Sequence, residues 1–431
     1  MNGDVVVIGG GVAGITIAYE LARHGASVTV LERREGVAEE CSSGNAGMVA
    51  STHAMPLASP GALREGLRYM WRPDSPFYLR PRAQMVPWLL RYGKASTPGR
   101  ARAAGKLLTE LTQMGLDWHR KVHADGLETG LRTRGHLDAY ESQGSLEAGR
   151  AEIEQRHARG LPGELLNPEE LLELEPSLSP SLAGGALYSD QAWLDPEIFI
   201  RSLAKAATAL GVKIRNRVEV LDLERRGGRV VAARTTAGRI SGDTFVIAAG
   251  VWSQTLARAT GLYLPVEGGK GYHVEMPDSA ASPQMPVYMA DSRVVATPLP
   301  GRLRLSGTFE LDGLDERVDP VRIRAITAAG VRVLPGLRGV EPTGLWRGLR
   351  PCAPDGLPLV GPIREVPNLL VATGHGIGGI TTGPVTAQLI GEVIRGEQPS
   401  LPMELMRPDR FRSLVSWPRR ERAVMGEAVA G

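Results

Sequence analysis

Cysteine is nearly missing from this chain: Cys41 and Cys352 are the only two in 431 residues. That excludes a disulfide scaffold and a site built from several thiolates around a metal. Aromatic side chains make up only 5%, so Ala, Leu and Val must fill most of the core. No apolar run is long enough to span a bilayer. Nor is there a surplus of one charge: 50 Lys and Arg stand against 47 Asp and Glu, for a net charge of +3. With no basic block interleaved with aromatics, nucleic acid is not an expected partner. The pI of about 8.9 leaves loose contact with an anionic membrane open. The first residues enter a strand with no basic n-region or cleavage site, so a cytoplasmic location is expected.

Glycine and proline, by contrast, are abundant, at 53 and 31 residues. With 42% hydrophobic residues over this length, they predict a turn-rich α/β protein of two or three domains. Asp4 to Ile8 reads as a strand buried on both faces. Gly9, Gly11 and Gly14 follow as G-x-G-x-x-G. A helix from Val12 to Gly25 comes next, then a strand from Ser27 to Leu31 that closes on Glu32. The first glycine permits a tight turn, the second lets backbone approach a pyrophosphate, and the third lets helix and strand pack closely. The pyrophosphate would sit on free N–H groups at the helix N-terminus. Glu32 stands where a carboxylate accepts hydrogen bonds from ribose hydroxyls, and it would repel a 2′-phosphate. The motif alone does not separate NAD from FAD.

Downstream, Ser42 to Val49 reads as a small-residue loop that lets backbone lie close to a flat ligand. Leu63, Leu67 and Met70 share one helical face, and Leu107, Leu111, Met114 and Trp118 another; both are expected in the core. Asn167-Pro168 and Asp195-Pro196 start helices, the second ended by Gly211. Val218 to Leu223 reads as a strand, and Arg229 to Thr235 with Arg239 to Ser241 as a hairpin around Ala237-Gly238. Thr244 to Gly250 returns to the first sheet. Lys270 to Val274, Val294 to Thr297 and Leu303 to Ser306 predict an antiparallel sheet in a second domain. Asp319-Pro320 begins another helix. Leu369 to Thr373 then runs into Gly374-His375-Gly376-Ile377-Gly378-Gly379 and a helix from Thr382 to Arg395. This second glycine-rich strand-to-helix turn offers a second helix N-terminus to anionic character on a ligand.

Four separated pieces carry a resemblance: GGGVAG with Glu32, TFVIAAGVWS, WRGLRPCAPDGLPLVG and VATGHGIGGITTGP. Together they resemble the glycine oxidase and D-amino acid dehydrogenase family of FAD-dependent amine oxidoreductases. Within it, CSSGNAGMV with His53 and PLASPG looks closer to bacterial D-amino acid and D-hydroxyproline dehydrogenases. The implied fold class is α/β: a Rossmann-like FAD-binding domain plus an α+β substrate domain with an antiparallel sheet. Segments 1–85, 160–260 and 340–431 would form the first domain, and 86–159 and 261–339 the second.

The resemblance implies non-covalent FAD and no metal. Gly9, Gly11, Val12, Ala13, Gly14, Glu32 and Arg33 would hold the dinucleotide. Ser43, Gly44, Asn45, Ala46, Gly47 and Met48 match the loop under the flavin. Val218 matches the adenine contact, and Ala249, Gly250 and Trp252 the return strand. Gly374, His375, Gly376, Ile377, Gly378, Gly379, Ile380 and Thr381 match the turn and helix start at the flavin edge. Arg350 matches the residue that binds a substrate carboxylate, and a planar guanidinium is suited to that grip. Its alternatives are a structural pairing with an acid such as Asp355, or a clamp at Arg347 instead. Tyr272 is either a second carboxylate or amine contact or a buried tyrosine satisfied by backbone. Lys270 is either a solvated lysine or a neighbour of flavin N5 through water. His53 and His375 are candidate pocket residues. Cys352 reads as a packing residue before a flavin attachment point.

The activity so implied is dehydrogenation of a small D-amino acid or cyclic imino acid such as D-hydroxyproline. Hydride would pass from Cα to flavin N5, and electrons onward to a quinone or a carrier protein. Two other readings stay open: a glycine or sarcosine oxidase that uses oxygen, and an FAD-binding relay subunit with no substrate of its own. The Arg350 segment argues against a relay, and the second glycine-rich turn against an NAD-dependent enzyme. A small amino acid is therefore the expected partner, with peripheral contact at the inner membrane face as an extension.

Overall fold

The computed structural model describes residues 3–52, 56–62, 75–80, 82–258 and 260–411. Leu63, Leu67, Met70 and His53 lie outside the described residues.

Short valine-rich stretches need a neighbour on each side and a cover on each face. Asp4–Ile8, Ser27–Leu31, Thr244–Ile247 and Val366–Thr373 meet both needs by pairing in parallel. The sheet has six strands, in the order Leu359–Ile363, Val366–Thr373, Thr244–Ile247, Asp4–Ile8, Ser27–Leu31, Lys213–Arg215. Only the edge strand Leu359–Ile363 runs antiparallel. Side chains alternate across it. Val5 and Val7 join a core with Ile15, Leu21, Phe199 and Leu389 on the helical side. Val6 and Ile8 join a second core with Leu223, Val230 and Phe245. That other face is covered by an antiparallel sheet of Val220–Arg226, Arg229–Thr235 and Gly238–Ser241.

On the helical side, Val12–Arg23 packs against both Gly379–Arg395 and Pro196–Ala209. The long helix Pro98–Ala124 closes the layer through Leu107, Leu111 and Leu116, with Met114 and Trp118 at its margin. Its Gly115 sits so close to the next helix that a Cβ would lie 1.9 Å from the Thr381 carbonyl oxygen.

Among the described residues, the second sheet has nine strands. Gly344–Cys352, Glu267–Pro277, Arg302–Leu311, Val294–Leu299 and Val287–Met289 follow one another antiparallel. His136–Tyr140 then joins in parallel, and Gly184–Tyr188 and Glu164–Leu166 complete that side. Phe77–Leu79 adds in parallel to Arg302–Leu311. The sheet is thus mainly antiparallel, and helix Pro320–Val333 packs on it through Ile326, Ala329 and Val333.

Sheet membership cuts across the expected segments. Phe77–Leu79, Glu164–Leu166, Gly184–Tyr188 and Gly344–Cys352 belong to the second sheet. Helix Pro98–Ala124 packs on the first. Element ends also shift. The strand expected from Val218 begins at Val220, because the Val218 N–H goes to the Glu32 carbonyl. The last helix begins at Gly379, one turn before Thr382.

Candidate active site

A cleft of about 290 Å³ runs past the carboxyl end of Asp4–Ile8. The glycines of the first turn have the geometry their spacing demands. Gly9 holds φ +114°, and a Cβ there would meet the Ala248 carbonyl oxygen at 2.5 Å. A Cβ on Gly14 would lie 1.9 Å from the Gly9 oxygen, so helix and strand touch there. Gly11 is different: only the Ser42 hydroxyl lies near its Cβ direction, at 3.2 Å, and the residue opens on the cleft. No side chain caps the helix Val12–Arg23 in the usual way; the Val12 N–H donates to Ser42 Oγ at 3.1 Å. Glu32 accepts from the Gly10 N–H at 2.6 Å and from the Arg34 N–H at 2.8 Å. Each carboxylate oxygen accepts one of these bonds and keeps further acceptor capacity, and Glu32 lines the cleft.

At the mouth, the Arg33 guanidinium lies 3.7 Å over the Trp252 ring and donates to Glu40 at 2.6 Å. Val218, Ala249 and Gly250 line the wall between them. At the other end, Gly374 and Gly376 take positive φ and fold the strand into the last helix. The Gly376 N–H donates to the Pro351 carbonyl at 2.8 Å. Helix Gly379–Arg395 starts behind Gly378 with no side-chain cap. Gly379 and Ile380 line the cleft, as does His375. Burial pushes His375 down to about 4, so its ring is neutral near pH 7. Its Nε2 pairs with Thr386 Oγ1 at 2.9 Å.

The loop after Glu40 contributes Cys41, Ser42 and Asn45 to the lining. It is clamped from the second sheet. Arg304 donates to the carbonyls of Ser43 and Asn45 at 2.8 and 2.7 Å. His273 Nδ1 donates to the Gly44 carbonyl at 3.1 Å, and its ring stacks on Trp346. A Cβ on Gly44 would fall 2.2 Å from Trp346. Glu275 ties Arg304 in place at 2.8 Å. Burial pushes the Glu275 carboxyl up, but His273 and Arg304 outweigh it and hold it at about 2. Asn45 Nδ2 reaches the Ile377 carbonyl at 3.1 Å and so joins the loop to the second glycine-rich turn.

Gly14, Ser43, Gly44, Ala46, Gly47, Met48, Gly374, Ile377, Gly378 and Thr381 do not line the cleft. Gly47 and Met48 instead pair with Leu194 and Trp193. Thr381 donates to the Met48 carbonyl at 3.4 Å, and Ile377 points outward. Sequence reasoning missed Glu40, Cys41, Leu221 and Thr255 in the lining. Ser42, the first residue of the loop read as lying close to a flat ligand, does line the cleft.

Arg350 lies beside this cleft, between Leu349 and Pro351, which line it. Its Nη1 donates to the Thr308 carbonyl at 2.9 Å. Among the described residues no carboxylate pairs with it; Asp355 is engaged by Arg410 at 2.8 Å. Burial lowers its pKa, opposed by Cys41 and Cys352 nearby. The rival Arg347 is occupied by Glu316 at 2.7 Å. Tyr272 is a core residue: it is 1% exposed and its hydroxyl donates to Glu310 at 2.8 Å. Lys270 is not solvated, since it is buried with Glu310 and Asp315, each at 3.5 Å. Tyr272 is thus buried, as one of its two readings had it, but its partner is a side chain and not backbone. Lys270 departs from the solvated reading because the second sheet is covered where its side chain emerges. Cys352 is buried with its thiol pushed up to about 12, and it does not line the cleft.

The chain from residue 4 to residue 393 matches the model of the DAO family, described as FAD-dependent oxidoreductase. The chain belongs to this family. Its relatives include a D-amino acid dehydrogenase of Paramagnetospirillum magneticum, 35% identical over 95% of this chain and 99% of that protein. One from Cereibacter sphaeroides is 34% identical over 92% of this chain and 93% of its own length. A solved glycine oxidase from Geobacillus kaustophilus superposes with a TM-score of 0.79, at 23% identity over 95% of this chain and 98% of that one. The cofactor is FAD, and the residues present fit it. Gly11 leaves open the space a Cβ would fill, and two helices begin at the cleft without side-chain caps. Such helix starts receive a pyrophosphate and the electron-rich edge of a flavin.

Proposed function

We propose that this enzyme oxidises the C–N bond of a small amino acid, a D-amino acid or a cyclic imino acid such as D-hydroxyproline. The observation that carries this reading is Arg350. A guanidinium removed from bulk water beside the FAD cleft, with no carboxylate partner among the described residues, is suited to a carboxylate brought by the substrate. The names of the relatives favour the D-amino acid class. FAD, when bound, accepts the hydrogen and electron pair removed from the substrate carbon.

The protein's own work is orientation. Arg350 fixes the carboxylate, while Leu349 and Pro351 line the adjoining cleft wall. The clamped loop Ser43–Asn45 holds the wall beneath. Neutral His375 adds no positive charge to its part of the cleft wall. Electrons would then leave to a quinone or a carrier protein. No described helix is long and apolar enough to cross a membrane. A cytoplasmic enzyme, with peripheral contact at the membrane's inner face, is part of this proposal.

Arg350→Ala tests the reading. It should lower kcat/KM by about 3 kcal/mol, on the order of 100-fold, mainly through KM. FAD content should match wild type. Normal turnover by the variant would overturn the assignment.

A further inference from the structure

Thr308 is unusual. Four described non-glycine residues have positive φ, and the other three, Ala38, Arg217 and Arg293, lie in turns. Thr308 takes φ +60° inside the strand Arg302–Leu311. A β-branched residue reaches that region only where its surroundings enforce it. The register gives the reason. Tyr272 pairs with Gly307 and Lys270 with Glu310, so Gly271 alone faces both Thr308 and Phe309. This is a β-bulge, a device that re-aims backbone and side chains locally.

What the bulge re-aims is the Thr308 carbonyl, which accepts from Arg350 Nη1 across the intervening strand at 2.9 Å. The guanidinium crosses directly over Gly271. A Cβ there would lie 2.1 Å from Nη2 and 2.2 Å from both Cζ and Nη1. The Phe309 ring lies 5.8 Å from the guanidinium carbon, and it stacks on Phe77. Three strands therefore cooperate: one carries Arg350, the next supplies an empty Cβ position, and the third supplies an anchoring carbonyl. One N–H of the fork is used, and the others remain for a two-point grip.

We propose that Gly271 and the bulge at Thr308 form a cradle that positions the Arg350 guanidinium for a substrate α-carboxylate. The inference rests on the carboxylate role of Arg350. Both residues are positioning residues; neither needs to touch the reacting atoms. The cradle sets the plane of the fork, and a bidentate grip depends on that plane.

The test uses the purified holoenzyme and small carboxylates as probes, acetate, propionate and benzoate, titrated against the flavin absorbance. Gly271→Ala should weaken carboxylate binding and raise KM by about 10- to 100-fold. The expected change in saturated kcat is under about threefold, with FAD content unchanged. In the Arg350→Lys background, Gly271→Ala should have no further effect, since lysine has no planar fork to displace. Full additivity would overturn the cradle. So would unchanged carboxylate binding in Gly271→Ala beside weakened binding in Arg350→Lys, which would leave the carboxylate role of Arg350 standing. Unchanged binding in Arg350→Lys itself would overturn both. If Gly271→Ala does not fold, Arg350→Ala with millimolar methylguanidine asks the same question. Partial recovery of carboxylate binding is expected from an intact cradle, and no recovery overturns it.

Discussion

Two glycines of the first turn differ in what a methyl group would meet, and that difference separates stability from cofactor binding. Gly14→Ala drives a Cβ to 1.9 Å from backbone that cannot move independently. It should cost about 2–4 kcal/mol of stability, read as a lower denaturant midpoint. Gly11→Ala meets only a hydroxyl at 3.2 Å and points into the cleft. It should fold with a near-normal midpoint but retain less FAD, read from the ratio of flavin to protein absorbance. These glycines were legible because a short motif fixes their spacing. The place of Arg350 beside the cleft was legible for a similar reason, through the segment around it. Arg304 was not: its contact with Ser43 spans 261 positions and ends on backbone carbonyls, which carry no residue identity. Lys270 was misleading because a lysine in a glycine-rich strand looks solvated until the cover of that strand is known.

At the scale of elements, the helix Pro98–Ala124 meets the start of Gly379–Arg395 through Gly115 and His119. His119 is fully buried and its Nε2 donates to the Ile380 carbonyl at 2.9 Å. Burial lowers it from 6.5 to about 4. The unfolded chain therefore binds the extra proton first as pH falls. The stability His119 supports is complete above about pH 6.5 and is lost between about pH 6.5 and about 4. His375 shifts in the same direction and adds to the same window. Chemical denaturation from pH 7.5 to 4.5 should show this slope, and His119→Gln should flatten it. A slope unchanged in that variant would assign the loss to other groups. The helix itself was readable from Leu107, Leu111, Met114 and Trp118. The layer it joins was not, since an apolar face names no partner. Strand ends were blurred wherever loop backbone bonds replaced ladder bonds, as at Val218.

At the scale of the whole molecule, the loop 42–45 is held from the second sheet on one side and by the first helix and the second glycine-rich turn on the other. Arg304, 3% exposed, links the second sheet to Ser43 and Asn45 in the loop that follows the first sheet's strand Ser27–Leu31. Arg304→Met leaves Glu275 without its closest partner, and breaking such a buried pair costs about 3–5 kcal/mol. His273 and Arg302 remain beside Glu275, so the loss should fall at or below the low end of that range, read as a lower denaturant midpoint, and FAD should dissociate more readily. Loss of stability with unchanged FAD affinity would confine Arg304 to folding. The two-sheet plan was readable from the alternation of valine-rich strands, glycine turns and a later strand-rich stretch. The chain's repeated crossing between the sheets was not, because Gly344–Cys352 and Gly184–Tyr188 look like any buried strand until their pairing is known.

The most direct measurement of the central claim is anaerobic. The purified flavoprotein is mixed with D- and L-amino acids, glycine, sarcosine and the hydroxyproline isomers, and flavin absorbance is followed. The account predicts bleaching by small D-amino acids or cyclic imino acids, weakened by about 100-fold in Arg350→Ala. A flavin that stays oxidised against every member of the panel would contradict it.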